Sequence, residues 1–441
     1  MAMTRPVPAG RVVRGTVTPP PSKSVTHRCL SLALLGGKEC RIERPLLAED
    51  TRLYLDALGT LGWSVEHRGE DVMVTPPARP ERSVERREVF CGNAGTMFRF
   101  LTAILTVLPG RFRLDGTPRL RERPVGPLLE ALRSLGARIE CPVRAGHAPL
   151  EIEGESLRGG RALLDAGESS QYLSALLLAC LRAPGASRLE VAALTSSPYV
   201  ELTREAIRRA VSGGDPVRER PPAEKGAGSR AFEISPVTPS ARRLPVEADL
   251  SAACYPAAGA ALTGGTVVIE GVRSDSAQGD RRFFGLLERM GAAVSWSEDG
   301  AEVRGTGRLD APGGVDLSAT PDQVPTLAAL APFARGVTRI ENVAHLRIKE
   351  SDRLRSMADG LARLGVPVEE RPDGLVIPGC WAEERRVVPG ERTVIDPHDD
   401  HRIAMSFALV GLRRDGVVVA RPEVVAKSYP GFWDDLDALL R

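Results

Sequence analysis

Chemistry in this chain concentrates in short polar turns that precede runs of small and apolar residues. The first is Pro20-Pro-Ser-Lys-Ser-Val-Thr-His-Arg28. Its two prolines bar a regular helix before it, Ser22 is a good N-cap residue, and Cys29 to Leu35 supply an apolar face. The spacing predicts a helix starting at Lys23 or Ser24, with Lys23, Ser24 and Arg28 near its free N–H groups. Two cations at the positive end of a helix make a site for a phosphate or carboxylate. Taken alone, an ordinary capped helix with exposed cations accounts for the same residues. Ile348-Lys-Glu-Ser-Asp-Arg-Leu354 is the densest stretch. It offers a lysine (Lys349), an acid/base group (Glu350) and an arginine (Arg353) at one predicted helix start; the plainer reading is a salt-bridged solvated cap. In His398-Asp-Asp-His-Arg402, Asp399 and His401 are metal-ligand types without a third partner at useful spacing, so a cap followed by an anion-binding Arg402 is the expectation. Asp322, between Pro321 and Gln323, reads as an N-cap. Arg123 and Lys427 repeat the pattern of a cation before a helix.

These turns recur. Start positions at 22, 92, 167, 249, 320 and 397 lie roughly 70 to 80 residues apart over the whole chain, which marks internal repeats. Each repeat holds a second, amphipathic helix, expected at Asp50–Leu61, Val125–Leu135, Pro198–Val211, Asp280–Met290, Ser351–Leu364 and Tyr429–Leu440. Four of these end in glycine stops at Gly62, Gly136, Gly291 and Gly365. Strand-like runs follow at Asp71–Thr75, Arg138–Cys141, Ala293–Trp296 and Val366–Glu369. The predicted fold class is therefore α/β: six βαβαββ units, with outward sheets and small-residue helices packed inside. Residues 22–244 are expected to form one domain, and 1–21 with 245–441 the other, with Val12–Val17 a strand of the second. The Gly- and Pro-rich segment 213–243, including 221–228, is expected to be a loop.

The 441 residues, 42% of them hydrophobic, suffice for two cores. A net charge of +2 and 4% aromatics argue against nucleic acid as partner. No run of about 18 apolar residues points to a membrane span. The N-terminus lacks the apolar core of a signal peptide. Seven cysteines without a C-x-x-C pair read as buried, reduced thiols of a cytoplasmic protein, and no zinc spacing is present.

The order of motifs is similar to that of the enolpyruvyl transferase family, on its shikimate-pathway branch. The resemblance spans nearly the whole chain: Pro21–Arg28, Gly92-Asn-Ala-Gly-Thr96, Arg121-Glu-Arg-Pro124, Ser169-Ser-Gln171, Ser197-Pro-Tyr199, Gln278-Gly-Asp280, Pro321-Asp322, Leu346–Arg353, Asp400-His-Arg402 and Ala426-Lys-Ser428. It implies a fold of two domains, three repeated units each, with the active site in the cleft between them. It implies addition of the 5-hydroxyl of shikimate 3-phosphate to C2 of phosphoenolpyruvate, then loss of phosphate from a tetrahedral intermediate. It implies no cofactor or metal, and a monomer. Carried over by motif, Lys23, Ser24, Arg28, Ser169, Ser170, Gln171, Ser196, Tyr199, Asp322, His345 and Lys349 hold shikimate 3-phosphate. Lys23, Asn93, Gly95, Arg123, Gln171, Arg353, Arg402 and Lys427 hold phosphoenolpyruvate. Asp322 is the base for the attacking hydroxyl, and Glu350, with Lys23 near, the acid that protonates the methylene carbon. Both acid and base are needed for adding an alcohol to an enol ether.

His345 stands where some members have asparagine, and Phe100 where a proline is common. With Gly95 in the Gly92–Thr96 motif, the resemblance implies sensitivity to glyphosate. The sister enzyme that acts on UDP-N-acetylglucosamine uses a loop cysteine, which Leu120–Gly126 lacks. A non-catalytic repeat protein binding a polyanion is the rival of another class.

Overall fold

The computed structural model describes residues 3–78, 86–222, 229–384 and 387–441. The chain forms two compact units: Lys23–Val246, and Met1–Ser22 together with Glu247–Arg441.

Six helices of small and apolar residues carry the cores. They are α1 (Lys23–Leu35), α2 (Gly95–Ile104), α3 (Ser170–Cys180), α4 (Leu250–Thr263), α5 (Val324–Leu330) and α6 (His401–Arg413). Helices that are apolar all round must be buried. In α4 every residue but Thr263 is buried, and in α6 all are. The six begin where the polar turns end. Ser169 caps α3 by accepting from the Gln171 N–H, and Asp249 caps α4 by accepting from the Ala252 N–H. Asp400 caps α6 by accepting from the Arg402 N–H. Each cap satisfies a donor that the first helical turn leaves open.

Around these helices the sheets repeat one pattern. Strand Arg86–Phe90 leads through α2 to its parallel partner Arg111–Asp115, which pairs antiparallel with Leu150–Glu153, and that with Arg138–Glu140. The third repeat pairs Gly160–Ala166, Ser187–Leu194, Arg230–Ile234 and Val217–Arg220 in the same way. In Gly160–Ala166 alternate side chains are buried and exposed, as expected of a sheet with one face on the core and one in water. The fourth repeat draws its first strand, Gly15–Val17, from the N-terminal segment, and sets it parallel to Thr266–Glu270. The first repeat draws its own from residues 243–245, parallel to Cys40–Glu43. The sixth pairs Thr393–Ile395 with Val417–Ala420 and is completed by Thr4–Pro6.

The amphipathic helices lie at Glu49–Thr60, Gly126–Ser134, Pro198–Ala210, Arg282–Arg289, Arg353–Arg363 and Phe432–Leu439. All four glycine stops take left-handed backbone, with φ of 96° at Gly62 and 89° at Gly365.

Three expectations change. The strand awaited at 366–369 begins only at Glu369, because Pro367 cannot donate to a ladder and the Val366 N–H turns back to the Leu361 carbonyl. The segment 213–243 supplies two strands of the third sheet, with residues 223–228 outside the described set. Among the cysteines, all of them free, Cys141 is half-buried and Cys380 exposed. No helix among the described residues is long and apolar enough to cross a membrane.

Candidate functional site

In the unit formed by Lys23–Val246, the candidate residues gather at the starts of α1, α2 and α3. Lys23 opens α1, and its ammonium lies 3.4 Å from the Asp50 carboxylate. Arg28 is buried one turn further on. Its guanidinium donates to the Ser24 carbonyl at 2.7 Å, the Tyr199 carbonyl at 2.8 Å and the Thr203 hydroxyl at 2.8 Å. It also lies over the Phe100 ring, 5.5 Å from its centre. Burial lowers the Arg28 pKa to about 10, which leaves it charged at neutral pH. Ser24 and Tyr199 are thereby tied to one cation. Ser196, just before the helix that carries Tyr199, has left-handed backbone at φ 52°.

Arg123 donates to the Asn93 backbone carbonyl at 3.2 Å and to its side-chain oxygen at 3.4 Å. The same guanidinium covers Gly95 so closely that a Cβ there would sit 2.5 Å from it. Only glycine admits that approach. Gln171 is oriented at both ends of its amide: Oε1 accepts from Arg99 at 2.8 Å and Nε2 donates to the Thr96 hydroxyl at 2.9 Å. Ser169 and Ser170, both buried, form the turn before it.

The other unit holds a denser cluster. Arg353, buried at the start of its helix, reaches three carboxylates: Asp322 at 2.8 Å, Glu350 at 2.8 Å and Asp400 at 2.7 Å. Arg402, the second residue of α6, donates to the other Asp322 oxygen at 2.6 Å. Asp322 therefore does not cap a helix; each of its oxygens takes one arginine. Burial pushes its carboxyl up, but Arg402, Arg353 and Lys349 outweigh burial and hold it well below the usual carboxylate range. For Arg353, burial acts to lower the pKa and is outweighed by Asp400, Glu350 and Asp322, so it stays firmly charged. His345 is buried nearby, its pKa lowered to about 3 by burial and then by Lys349. It is neutral at pH 7, and its Nε2 has no partner among the described residues. Asp280, fully buried, is pushed up to about 6 by burial and by the Asp322 charge. Lys427 is buried at the end of the short helix Pro422–Lys427, which packs on α6.

Sequence reasoning passed over four residues of these clusters. Asp50 and Asp400 lie at helix starts, and Asp400 caps α6, but they also face Lys23 and Arg353. Arg99 and Thr96, neither of them singled out as a site residue, fix the Gln171 amide. The signal for Asp400 was present, because it directly precedes His401 and Arg402.

Six α/β repeats in two units, with cations and carboxylates gathered where the inner helices begin, define the enolpyruvyl transferase fold. The profile of the EPSP synthase (3-phosphoshikimate 1-carboxyvinyltransferase) family matches residues 7–436. The chain is 45% identical over 428 residues to the 3-phosphoshikimate 1-carboxyvinyltransferase of Syntrophobacter fumaroxidans, covering 97% of each chain. It is 42% identical to that of Methanopyrus kandleri, covering 96% of this chain and 95% of the other. The solved EPSP synthase of Acinetobacter baumannii superposes with a TM-score of 0.76 at 27% identity, over 100% of this chain and 98% of that one. The chain belongs to the EPSP synthase family.

Proposed function

We propose that this chain transfers the enolpyruvyl group of phosphoenolpyruvate to the 5-hydroxyl of shikimate 3-phosphate, releasing inorganic phosphate, and that both residue clusters serve one pair of substrates. The observation that carries this reading is Asp322, whose two oxygens occupy Arg353 and Arg402 at 2.8 and 2.6 Å. Two buried arginines sharing one carboxylate are set up to receive an anion in its place, and an arginine fork matches carboxylate and phosphate geometry.

Phosphoenolpyruvate brings both groups. Its anionic oxygens take Arg353, Arg402, Lys427 and Arg123, with Lys23, Asn93, Gly95 and Gln171 around them. Shikimate 3-phosphate takes Lys23, Ser24, Arg28, Ser169, Ser170, Gln171, Ser196, Tyr199, Lys349 and His345. As the arginines turn to the incoming anion, Asp322 loses its two closest cations, its pKa rises, and it becomes able to accept a proton. It then takes the proton of the 5-hydroxyl as that oxygen bonds to C2, while Glu350, with Lys23, delivers a proton to the methylene carbon. In the second step the methyl carbon returns a proton, the C2–O bond to phosphate breaks, and the cations stabilise the departing group. The chain acts as a cytoplasmic monomer.

The test is phosphate release from purified protein given both substrates, with each alone as control. Release only with both is expected. Silence with both, or release with UDP-N-acetylglucosamine instead of shikimate 3-phosphate, overturns the assignment.

A further inference from the structure

The turn that carries Asp400 is held from outside by a residue with no part in the clusters above. Strands Thr393–Ile395 and Val417–Ala420 run parallel. Residues 396–400 lead from the first into α6, and Arg421 leads from the second into Pro422–Lys427. Three non-glycine residues here have left-handed backbone: His398 at φ 53°, Asp399 at 56° and Arg421 at 47°. Such conformations persist where their surroundings over-determine them. One side chain supplies that constraint. The Arg421 guanidinium donates to Asp396 with one nitrogen and to Asp399 with another. Asp396 also accepts from the His398 N–H at 2.8 Å, and the Asp400 N–H donates to the Pro397 carbonyl at 3.0 Å. From Asp400 the contacts run inward to Ser351 at 3.2 Å and to the Arg353 Nε at 2.7 Å.

We propose that Arg421 is a positioning residue for the phosphoenolpyruvate subsite, resting on the reading given under Proposed function. Its two-carboxylate clamp locks the 396–400 turn against the start of the 422–427 helix. Asp400, Arg402 and Lys427 are placed by those two segments, and Arg353 through Asp400. A cation at the surface thus sets the spacing of the cations inside.

The test is steady-state kinetics of Arg421→Gln, with Asp399→Asn as a milder variant that removes one arm. Loss of partly exposed ion pairs on a strained turn should raise the KM for phosphoenolpyruvate by about three- to tenfold, with kcat and the KM for shikimate 3-phosphate within about twofold. Adding His398→Gly to Arg421→Gln should recover much of that loss, because glycine holds a positive φ without needing a clamp. An unchanged KM for phosphoenolpyruvate in Arg421→Gln overturns the proposal. So does a parallel rise for both substrates that His398→Gly does not reverse, which would mark general loosening. Lys427→Ala is the control. If it raises the KM for phosphoenolpyruvate while Arg421→Gln is silent, the clamp alone fails; if it does not, the subsite reading beneath the clamp fails as well.

Discussion

At the scale of single residues, charge compensation decides what each group can do. Asp322 spends its charge on two arginines, so in the free protein it is a weak base held in reserve. Replacing it with asparagine keeps the shape and removes the proton acceptor. Asp322→Asn should lower kcat by about 10²- to 10⁴-fold, the usual worth of a general base, while isothermal titration still detects shikimate 3-phosphate binding. Near-normal turnover in the folded variant would remove Asp322 from the base role. A second consequence concerns acid stability. His27 is fully buried in α1, and its Nδ1 lies 2.9 Å from the Lys23 carbonyl. A carbonyl can only accept, so Nδ1 carries the proton and Nε2 is left bare and unpartnered among the described residues. Burial lowers the His27 pKa from 6.5 to about 4. The unfolded chain therefore takes up this proton first as pH falls. The contribution of His27 to stability is fully present above about pH 6.5 and is lost toward pH 4, at up to about 1.4 kcal/mol per pH unit. Urea unfolding at pH 7 and pH 5 should show His27→Gln losing about 2 kcal/mol less than the parent over that interval. Equal losses would mean that His27 does not titrate on unfolding.

At the scale of elements, small residues set how closely helices pack, and this was the most legible part of the sequence. The polar turns and the glycine stops could be read because capping and left-handed backbone restrict residue type within one or two positions. Pairings between elements could not. Asp322 meets Arg353 across 31 positions and Arg402 across 80, and no local pattern records which arginine meets which carboxylate. Glycines show the same contrast. Gly62 is legible as a stop, and a Cβ there would meet nothing within 4 Å, so Gly62→Ala carries only the penalty of its φ of 96°, about 1 kcal/mol. Gly360 sits inside the helix Arg353–Arg363, where sequence alone would read a weak helix former. A Cβ there would lie 2.2 Å from the Phe407 ring of α6. Gly360→Ala should therefore cost more, about 1–3 kcal/mol through overpacking, and displace Arg353 along with its helix. Thermal unfolding of the two variants checks the order. If Gly360→Ala stabilises, as its better helix propensity alone would predict, the close approach does not limit that interface.

At the scale of the whole molecule, the repeat count was visible but its closure only in part. A period of roughly 70 to 80 residues announces six units, yet it does not say that three sheets borrow a strand from a distant part of the chain. Thr4–Pro6 completes the sixth sheet, Gly15–Val17 the fourth, and Arg243–Pro245 the first. Gly15–Val17 falls within the run Val12–Val17 that the sequence marks as a strand of the second domain, whereas Thr4–Pro6 and Arg243–Pro245, with partners hundreds of residues away, carry too little pattern to be assigned from sequence, because only their pairing makes them strands. Physically, the borrowed strands cover sheet edges that would otherwise expose unpaired N–H and C=O groups. The two N-terminal strands both belong to the Glu247–Arg441 unit, whereas the Lys23–Val246 unit closes its first sheet with its own last strand. Deleting residues 1–17 should therefore act on one unit only. Hydrogen exchange should show faster exchange at Thr266–Glu270 and Val417–Ala420, which lose their neighbours, while Cys40–Glu43 and Arg111–Asp115 keep the protection of the parent. Loss of protection spread evenly over both units would mean that they unfold as one, and that the borrowed strands stabilise the molecule as a whole rather than the unit they complete.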